Sequence, residues 1–245
     1  TSIYQPSSGW TGNKLYRNLG LHNFGEYGAS AGVNNGGYGW GALGVDMNHD
    51  GWEDIVETNG DAAPGSSFYN DPSHLWINNG NNTFSDQSVA SGFVFSIKGR
   101  ALLRFDYDND GDQDLVICRN NGAMTLFRND LPAAADTHWL RVFLNTQGFP
   151  GFTPDGIGAK VSVTIGGVTR IRLIDSGVSF LGTSEYSAHF GLGAATVADQ
   201  VKVVWQNGVE TILTNVPLNQ TLTITPEQPA CDGDLDGDGS IGGGD

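Results

Sequence analysis

Two stretches of the chain, Asp46-Met-Asn48-His-Asp50-Gly51-Trp52-Glu-Asp54 and Asp106-Tyr-Asp108-Asn-Asp110-Gly111-Asp112-Gln-Asp114, carry one aspartate pattern in two copies. A recurring pattern at a fixed interval requires the chain to build the same local unit each time. In each copy, oxygen-bearing side chains stand at positions 1, 3 and 5, and the glycine at position 6 allows a sharp turn. The backbone carbonyl at position 7 adds a ligand and the aspartate at position 9 closes the shell. Oxygen donors without a ligating His or Cys select calcium over zinc or copper. The expected ligands are therefore Asp46, Asn48, Asp50, Trp52 and Asp54 in the first loop, and Asp106, Asp108, Asp110, Asp112 and Asp114 in the second. A single copy would read equally as a solvated Asp/Asn/Gly turn. Recurrence with the glycine in register argues for the metal.

A third run, Asp234-Leu-Asp236-Gly-Asp238-Gly-Ser240, closes with Asp245 at twelve-residue EF-hand spacing. It predicts a third Ca²⁺ site, with the solvated turn as the competing reading, because such a loop normally lies between two helices.

The formal charge of -15 follows from this chemistry, since thirteen of the twenty-one aspartates lie within or beside the three runs. Three bound Ca²⁺ would leave about -9, so metal removal is expected to release strong repulsion and loosen the loops. No basic stripe exists to neutralise phosphates, which argues against nucleic acid as a partner. Neither a membrane span nor a signal sequence is legible, and Thr1 reads as a mature or excised end. Calcium loops of this kind suit a secreted or cell-surface setting, and a bacterial one is expected. Cys118 and Cys231 are either one disulfide or two thiols. Asn81 and Asn219 open weak N-glycosylation patterns.

The loops sit in longer repeats. Leu15-Tyr-Arg-Asn18, Leu75-Trp-Ile-Asn78 and Leu126-Phe-Arg-Asn129 read as one strand type ending in an Asn-led turn. Gly41–Val45 and Ala101–Phe105 lead into the loops, and Ile55–Thr58 and Leu115–Cys118 leave them as short β-branched strands. With no convincing amphipathic helix, the unit is a small antiparallel sheet. Residues 1–132 resemble the FG-GAP or VCBS-type repeats of β-propellers, whose blades carry such a loop between strands. Two full repeats and a partial one are too few to close a ring. The resemblance thus implies missing blades, an edge completed by another chain, or a different packing.

From Thr137 the pattern changes to alternating strands: Trp139–Leu144, Gly156–Ile165, Thr169–Ile174, Val201–Trp205, Glu210–Leu213 and Leu222–Thr225. Alternation at this spacing predicts an antiparallel sandwich or barrel. Asp155-Gly-Ile-Gly-Ala159, His189-Phe-Gly-Leu-Gly193, Val203-Val-Trp-Gln-Asn-Gly208 and Asn215-Val-Pro-Leu-Asn-Gln220 closely resemble the ASPIC/UnbV (cartilage acidic protein-like) domain. That assigns residues 137–226 to an extracellular, calcium-associated β domain, and the resemblance supplies no catalytic residues. Residues 227–245 read as a linker and a truncated dockerin-type calcium repeat, which suggests a piece of something longer.

No enzyme constellation is legible among His22, His49, His74, His138 and His189, and nucleophile and zinc motifs are missing from the sequence. His49, at a non-ligand loop position, is expected to face solvent, and His189 to make a structural hydrogen bond. Tyr38, Trp40 and Trp52 are either a glycan platform or packing between blades. The expectation is an all-β chain: an incomplete propeller-like repeat block, an antiparallel sandwich or barrel, and a short EF-hand-like tail. The expected function is a secreted, non-catalytic, calcium-binding structural or adhesive protein. Its partners would be other copies in head-to-tail filaments, with residues 1–8 adding as a strand, or extracellular material. A carbohydrate-binding module of a larger secreted enzyme is the alternative.

Overall fold

The computed structural model describes residues 2–6 and 12–227. Asp234, Asp236, Asp238, Ser240 and Asp245, and the pairing of Cys118 with Cys231, lie outside the described residues. The protein is mostly β, and its one α-helix among the described residues, α1 (Gly28–Ala31), is a single turn. Among the described residues, seventeen strands form five sheets, several of them antiparallel, and no ring of blades or closed barrel is formed.

Three sheets hold the repeats. The first is β1 (Ser2–Gln5), β2 (Lys14–Gly20) and β3 (Asn23–Glu26), in that spatial order. The second runs β4 (Gly39–Val45), β5 (Asp54–Asn59), β6 (His74–Asn78) and β7 (Phe84–Asp86). The third holds β8 (Gly99–Phe105), β9 (Asp114–Arg119) and β10 (Thr125–Phe127). The register shows that these are copies of one unit. Val56 faces Leu75 in the second sheet, Val116 faces Leu126 in the third, and Tyr4 faces Leu15 in the first. The sequence repeat at Leu15, Leu75 and Leu126 is therefore one structural position. By the same register the first sheet lacks a counterpart of β4, and the third lacks one of β7.

Residues 1–8 were expected to be able to add as a strand to another copy. Here Ser2–Gln5 pairs with β2 of the same chain.

Burial explains why these short strands hold. Leu43, Val45, Val56, Leu75, Leu102, Leu115 and Ile117 from the second and third sheets join Phe93 and Phe95 in one core. Leu15, Ala31, Val33, Ile55 and Trp76 form another between the first and second sheets, with Tyr4 and Phe84 at its margin. Fully burying each such side chain contributes about 1.5–3 kcal/mol against leaving it exposed. The loops lie between strands of these two cores, which fixes where each begins and ends.

The described chain divides into two compact units. One comprises Thr1–Leu140, Ser176–Glu185 and His189–Ala195, and the other Arg141–Asp175, Tyr186–Ala188 and the residues from Thr196 onward. The remaining strands are β11 (His138–Leu144), β12 (Lys160–Ile165), β13 (Val168–Leu173), β14 (Ser187–Gly193), β15 (Val197–Val204), β16 (Glu210–Pro217) and β17 (Gln220–Ile224). Sheet order is β13-β12-β15-β16 and β14-β11-β17. The hairpin between β12 and β13 turns on Gly166 and Gly167, both at positive φ as a two-residue turn requires. Val161, Val163, Val201 and Val203 are fully buried on one face of the four-stranded sheet, and Trp205 is buried with Nε1 donating to Thr211 Oγ1 at 2.9 Å. Ile171, Leu173 and Ile212 are exposed. Asn81 and Asn219 are exposed as well.

Candidate metal centre

Each loop is shaped by backbone amides that donate to its carboxylates, and four of these bonds recur at equivalent positions in both loops. Gly51 N donates to Asp46 Oδ2 at 2.9 Å, and Gly111 N to Asp106 Oδ2 at 3.0 Å. Trp52 N donates to Asp50 Oδ1 at 2.8 Å, and Asp112 N to Asp110 Oδ1 at 2.9 Å. Position 9 ties the loop shut: Asp54 accepts from Met47 N and Asn78 N, and Asp114 accepts from Tyr107 N and Asn129 N. The backbone repeats too, with φ of 60° and 61° at His49 and Asn109, and 88° and 100° at Gly51 and Gly111. A left-handed residue at position 4 and a glycine at position 6 wind the chain inward, so that side chains from the start of the loop turn toward the position 9 aspartate.

In the second loop the convergence is plain. Asp106, Asp108 and Asp114 each bring one carboxylate oxygen within 4.8 Å of the other two, and theirs is the one such acidic group of three among the described residues. Asp110 is exposed at the rim. The Asp112 side chain leaves the cluster: Oδ2 accepts from Leu131 N at 2.6 Å, and Oδ1 lies 3.7 Å from His49 Nε2. The Asp112 side chain is thereby engaged outside the Asp106–Asp108–Asp114 cluster. In the first loop Asn48 Nδ2 donates to Asp50 Oδ2 at 3.0 Å, while Asn48 Oδ1 accepts from Asp50 N at 3.1 Å. Trp52 is exposed.

The ionisation of these groups supports a cation. Burial pushes Asp54 up to about 7, with the neighbouring Asp46 and Asp50 charges adding to the rise and the Asn78 and Met47 amides opposing it. Burial likewise raises Asp112 and Asp114, and Asp110 repels both. Carboxylates held together out of water are relieved by a divalent cation, whose charge favours their ionised form. The Oδ1 atoms of Asp46 and Asp106 are shut off from solvent inside the loops. An oxygen-only set of this composition fits Ca²⁺.

Several supporting residues were misjudged or missed in the sequence. His49 does not face solvent: it is fully buried, with Nδ1 3.0 Å from Thr137 O and its ring 5.1 Å from that of His189. The reason is β14, which passes so close that a Cβ on Gly191 would lie 2.4 Å from His49 Cα and 2.2 Å from Asp46 Oδ2. His189 does make a structural bond, and its partner is the second loop: Nε2 lies 2.8 Å from Gly111 O. Trp139 covers the same glycine, where a Cβ would be 1.9 Å from Cε2. Asn78 and Asn129, whose amides secure Asp54 and Asp114, were visible only as turn residues.

The aromatic trio does not assemble. Tyr38 and Trp40 are neighbours at 6.0 Å, with Phe68 and Phe180 beside them. Trp40 Nε1 donates to Gly60 O just past the end of β5, whereas Trp52 precedes its start. Six residues of strand separate the two ends by about 20 Å. Arg100 lies over the Trp40 ring at 3.9 Å.

Comparison with known proteins adds a family for part of the chain. Residues 151–230 match the family model described as ASPIC and UnbV. Among individual proteins, cartilage acidic protein 1 of Homo sapiens is 33% identical over 115 residues, which is 45% of this chain and 16% of the human protein. The Mus musculus protein of the same name is also 33% identical over 115 residues, covering 17% of its length.

Proposed function

We propose that this chain is a non-catalytic, extracellular β scaffold that binds one Ca²⁺ in each of the loops Asp46–Asp54 and Asp106–Asp114. The observation that carries the proposal is the matched frame: four equivalent hydrogen bonds place equivalent oxygens in two loops that share only four of their nine residues. In this reading the three repeat sheets are blades of the FG-GAP or VCBS type, and the match to the ASPIC and UnbV model marks the domain that follows them. The run from Asp234 to Asp245, outside the described residues, belongs to the proposal as a third, dockerin-like site. Calcium acts as a folding staple, since its binding energy appears as loop order.

The relatives' printed name speaks of an acidic protein of cartilage, and this chain is likewise acidic at -15. That agreement supports an extracellular place. Partners would be further copies of the chain or extracellular material, met through exposed apolar residues such as Leu19, Leu21 and Phe24 on the β2–β3 hairpin. A glycan platform is the weaker reading, because Arg100 already occupies a face of Trp40.

The test is thermal unfolding in excess calcium and after chelation, with calorimetric titration alongside. Calcium at about 100 times its dissociation constant stabilises by about 2.7 kcal/mol per site. For a chain of this size that is a rise of roughly 5–10 °C in Tm. Unchanged melting together with no heat of binding would overturn the calcium reading. Light scattering in calcium tests assembly separately, and a monodisperse monomer at high concentration removes the self-assembly part.

A further inference from the structure

We propose that the two calcium loops are one cooperative unit, coupled by Asn129, His49 and His189, none of which is an expected ligand. The proposal rests on the calcium reading above and adds to it that the first ion raises the affinity of the second loop.

Three contacts bridge the loops. Asn129 spans them directly: its backbone N–H secures Asp114 of the second loop at 2.8 Å, and its Nδ2 donates to Met47 O of the first at 2.9 Å. Its counterpart Asn78 has no such reach, since Nδ2 donates to Glu53 O within the same loop at 3.0 Å. The second bridge runs the other way. His49, from position 4 of the first loop, brings Nε2 to 3.7 Å from Asp112 Oδ1 at position 7 of the second. The third is His189 on β14, whose ring lies 5.1 Å from that of His49 while Nε2 meets Gly111 O. Gly193 N donates to His49 O at 2.9 Å, so β14 holds the first loop's backbone as well.

The physical consequence is a shared ordering cost. An ion in the second loop fixes Asp114, hence Asn129, hence the Met47 carbonyl between Asp46 and Asn48. An ion in the first loop fixes His49 and, through it, Asp112 and Gly111. Whichever ion binds second enters a loop already ordered and loses less conformational entropy. Charge works against this, because a bound ion removes negative potential that attracts the next. That opposing effect weakens as salt is added, whereas the bridging contacts are direct hydrogen bonds that salt leaves in place. Coupling of this kind typically changes affinity by about 5- to 150-fold, and it must be reciprocal.

The experiment is a calcium titration of the full chain at physiological ionic strength, followed by NMR at the Gly51 and Gly111 amides. Each amide donates to the first aspartate of its own loop, so the two loops are read separately and apart from the tail. In the unaltered chain both amides should shift over the same calcium range with a Hill coefficient above 1. Asp50→Ala should weaken binding at Gly111 about tenfold, and Asp110→Ala should weaken binding at Gly51 by the same factor. Asn129→Ala keeps the backbone bond to Asp114 and removes the bridge, so it should leave both loops binding but separate their titrations. If each single-loop variant leaves the other loop's affinity unchanged, the coupling is overturned while the calcium reading stands. If neither amide responds to calcium, that reading fails and the coupling with it.

Discussion

The two loops share a backbone and differ in the charge and exposure of the residues at positions 3, 5 and 7. The first is enclosed: Asp46, His49 and Asp54 are buried, and Asn48 bonds to Asp50 across the loop. The second is more open and more highly charged, with aspartate at positions 1, 3, 5, 7 and 9 and with Asp108 and Asp110 exposed. The comparison separates two jobs that the motif performs at once. Glycine, the left-handed residue at position 4 and the position 9 aspartate build the frame. The residues at 3, 5 and 7 set charge, and so affinity.

The largest expected effect tests the surroundings of the second loop. Gly111→Ala puts a methyl group into the Trp139 indole at a residue with φ of 100°. The strain and the clash together should cost on the order of 3 kcal/mol or more. Urea unfolding measures it, and a loss below about 1 kcal/mol would mean that Trp139 moves aside freely.

Next comes the strand that each loop feeds. At the position where β9 has Ile117, β5 has Glu57, fully buried and bonded by Tyr4 Oη at 2.7 Å and by Asn13 Nδ2. Burial raises Glu57 to about 7, Asp71 adds repulsion, and the bonds from Tyr4, Asn13 and Asn59 oppose the rise. A carboxyl whose folded pKa lies above its unfolded value stabilises the fold at low pH, and that stability is lost as pH rises. Glu57 should therefore contribute a few kcal/mol near pH 4.5 that fades towards pH 7. Urea midpoints across this window, in the unaltered chain and in Glu57→Gln, report it. The variant should lose that part of the slope, and an unchanged slope would place the pH dependence elsewhere.

A smaller difference is expected in calcium affinity. With more carboxylates, the second loop should bind about tenfold more tightly than the first when each is measured with the other disabled. Equal affinities would show that enclosure of the first loop offsets its lower charge. The smallest effect concerns Arg128, which lies 3.3 Å from Asp108 and also pairs with Asp130. The corresponding residue in the first repeat is Ile77. Solvent screens so exposed a charge, so Arg128→Ala should tighten calcium binding to the second loop only about twofold to threefold.

Much of the fold was legible because it follows from short-range pattern. Leu75 and Leu126 announce β6 and β10, Asn-Gly at Asn207 and Gly-Gly at Gly166 announce turns, and alternation marks β12 and β15. β14 was not legible as a strand. Ser187–Gly193 is buried almost throughout and carries glycine, alanine and histidine, so no period of two marks it. β3 and β7 are short and were missed for want of pattern, and β1 was expected only as a strand added to another copy. At the loops, the sequence displayed the acidic residues, but not that Asp112 turns away to Leu131 or that His49 is enclosed.

Taken alone, the amino-acid sequence determined the repeat, the positions of the oxygen donors and the glycines that wind them together, because those depend on residues a few positions apart. It also determined the mostly β character. Only the tertiary structure decided which residues support the loops. Asn129 meets Met47 and His189 meets Gly111 across long stretches of chain. Contacts between residues so far apart depend on how strands stack, and no local spacing encodes them.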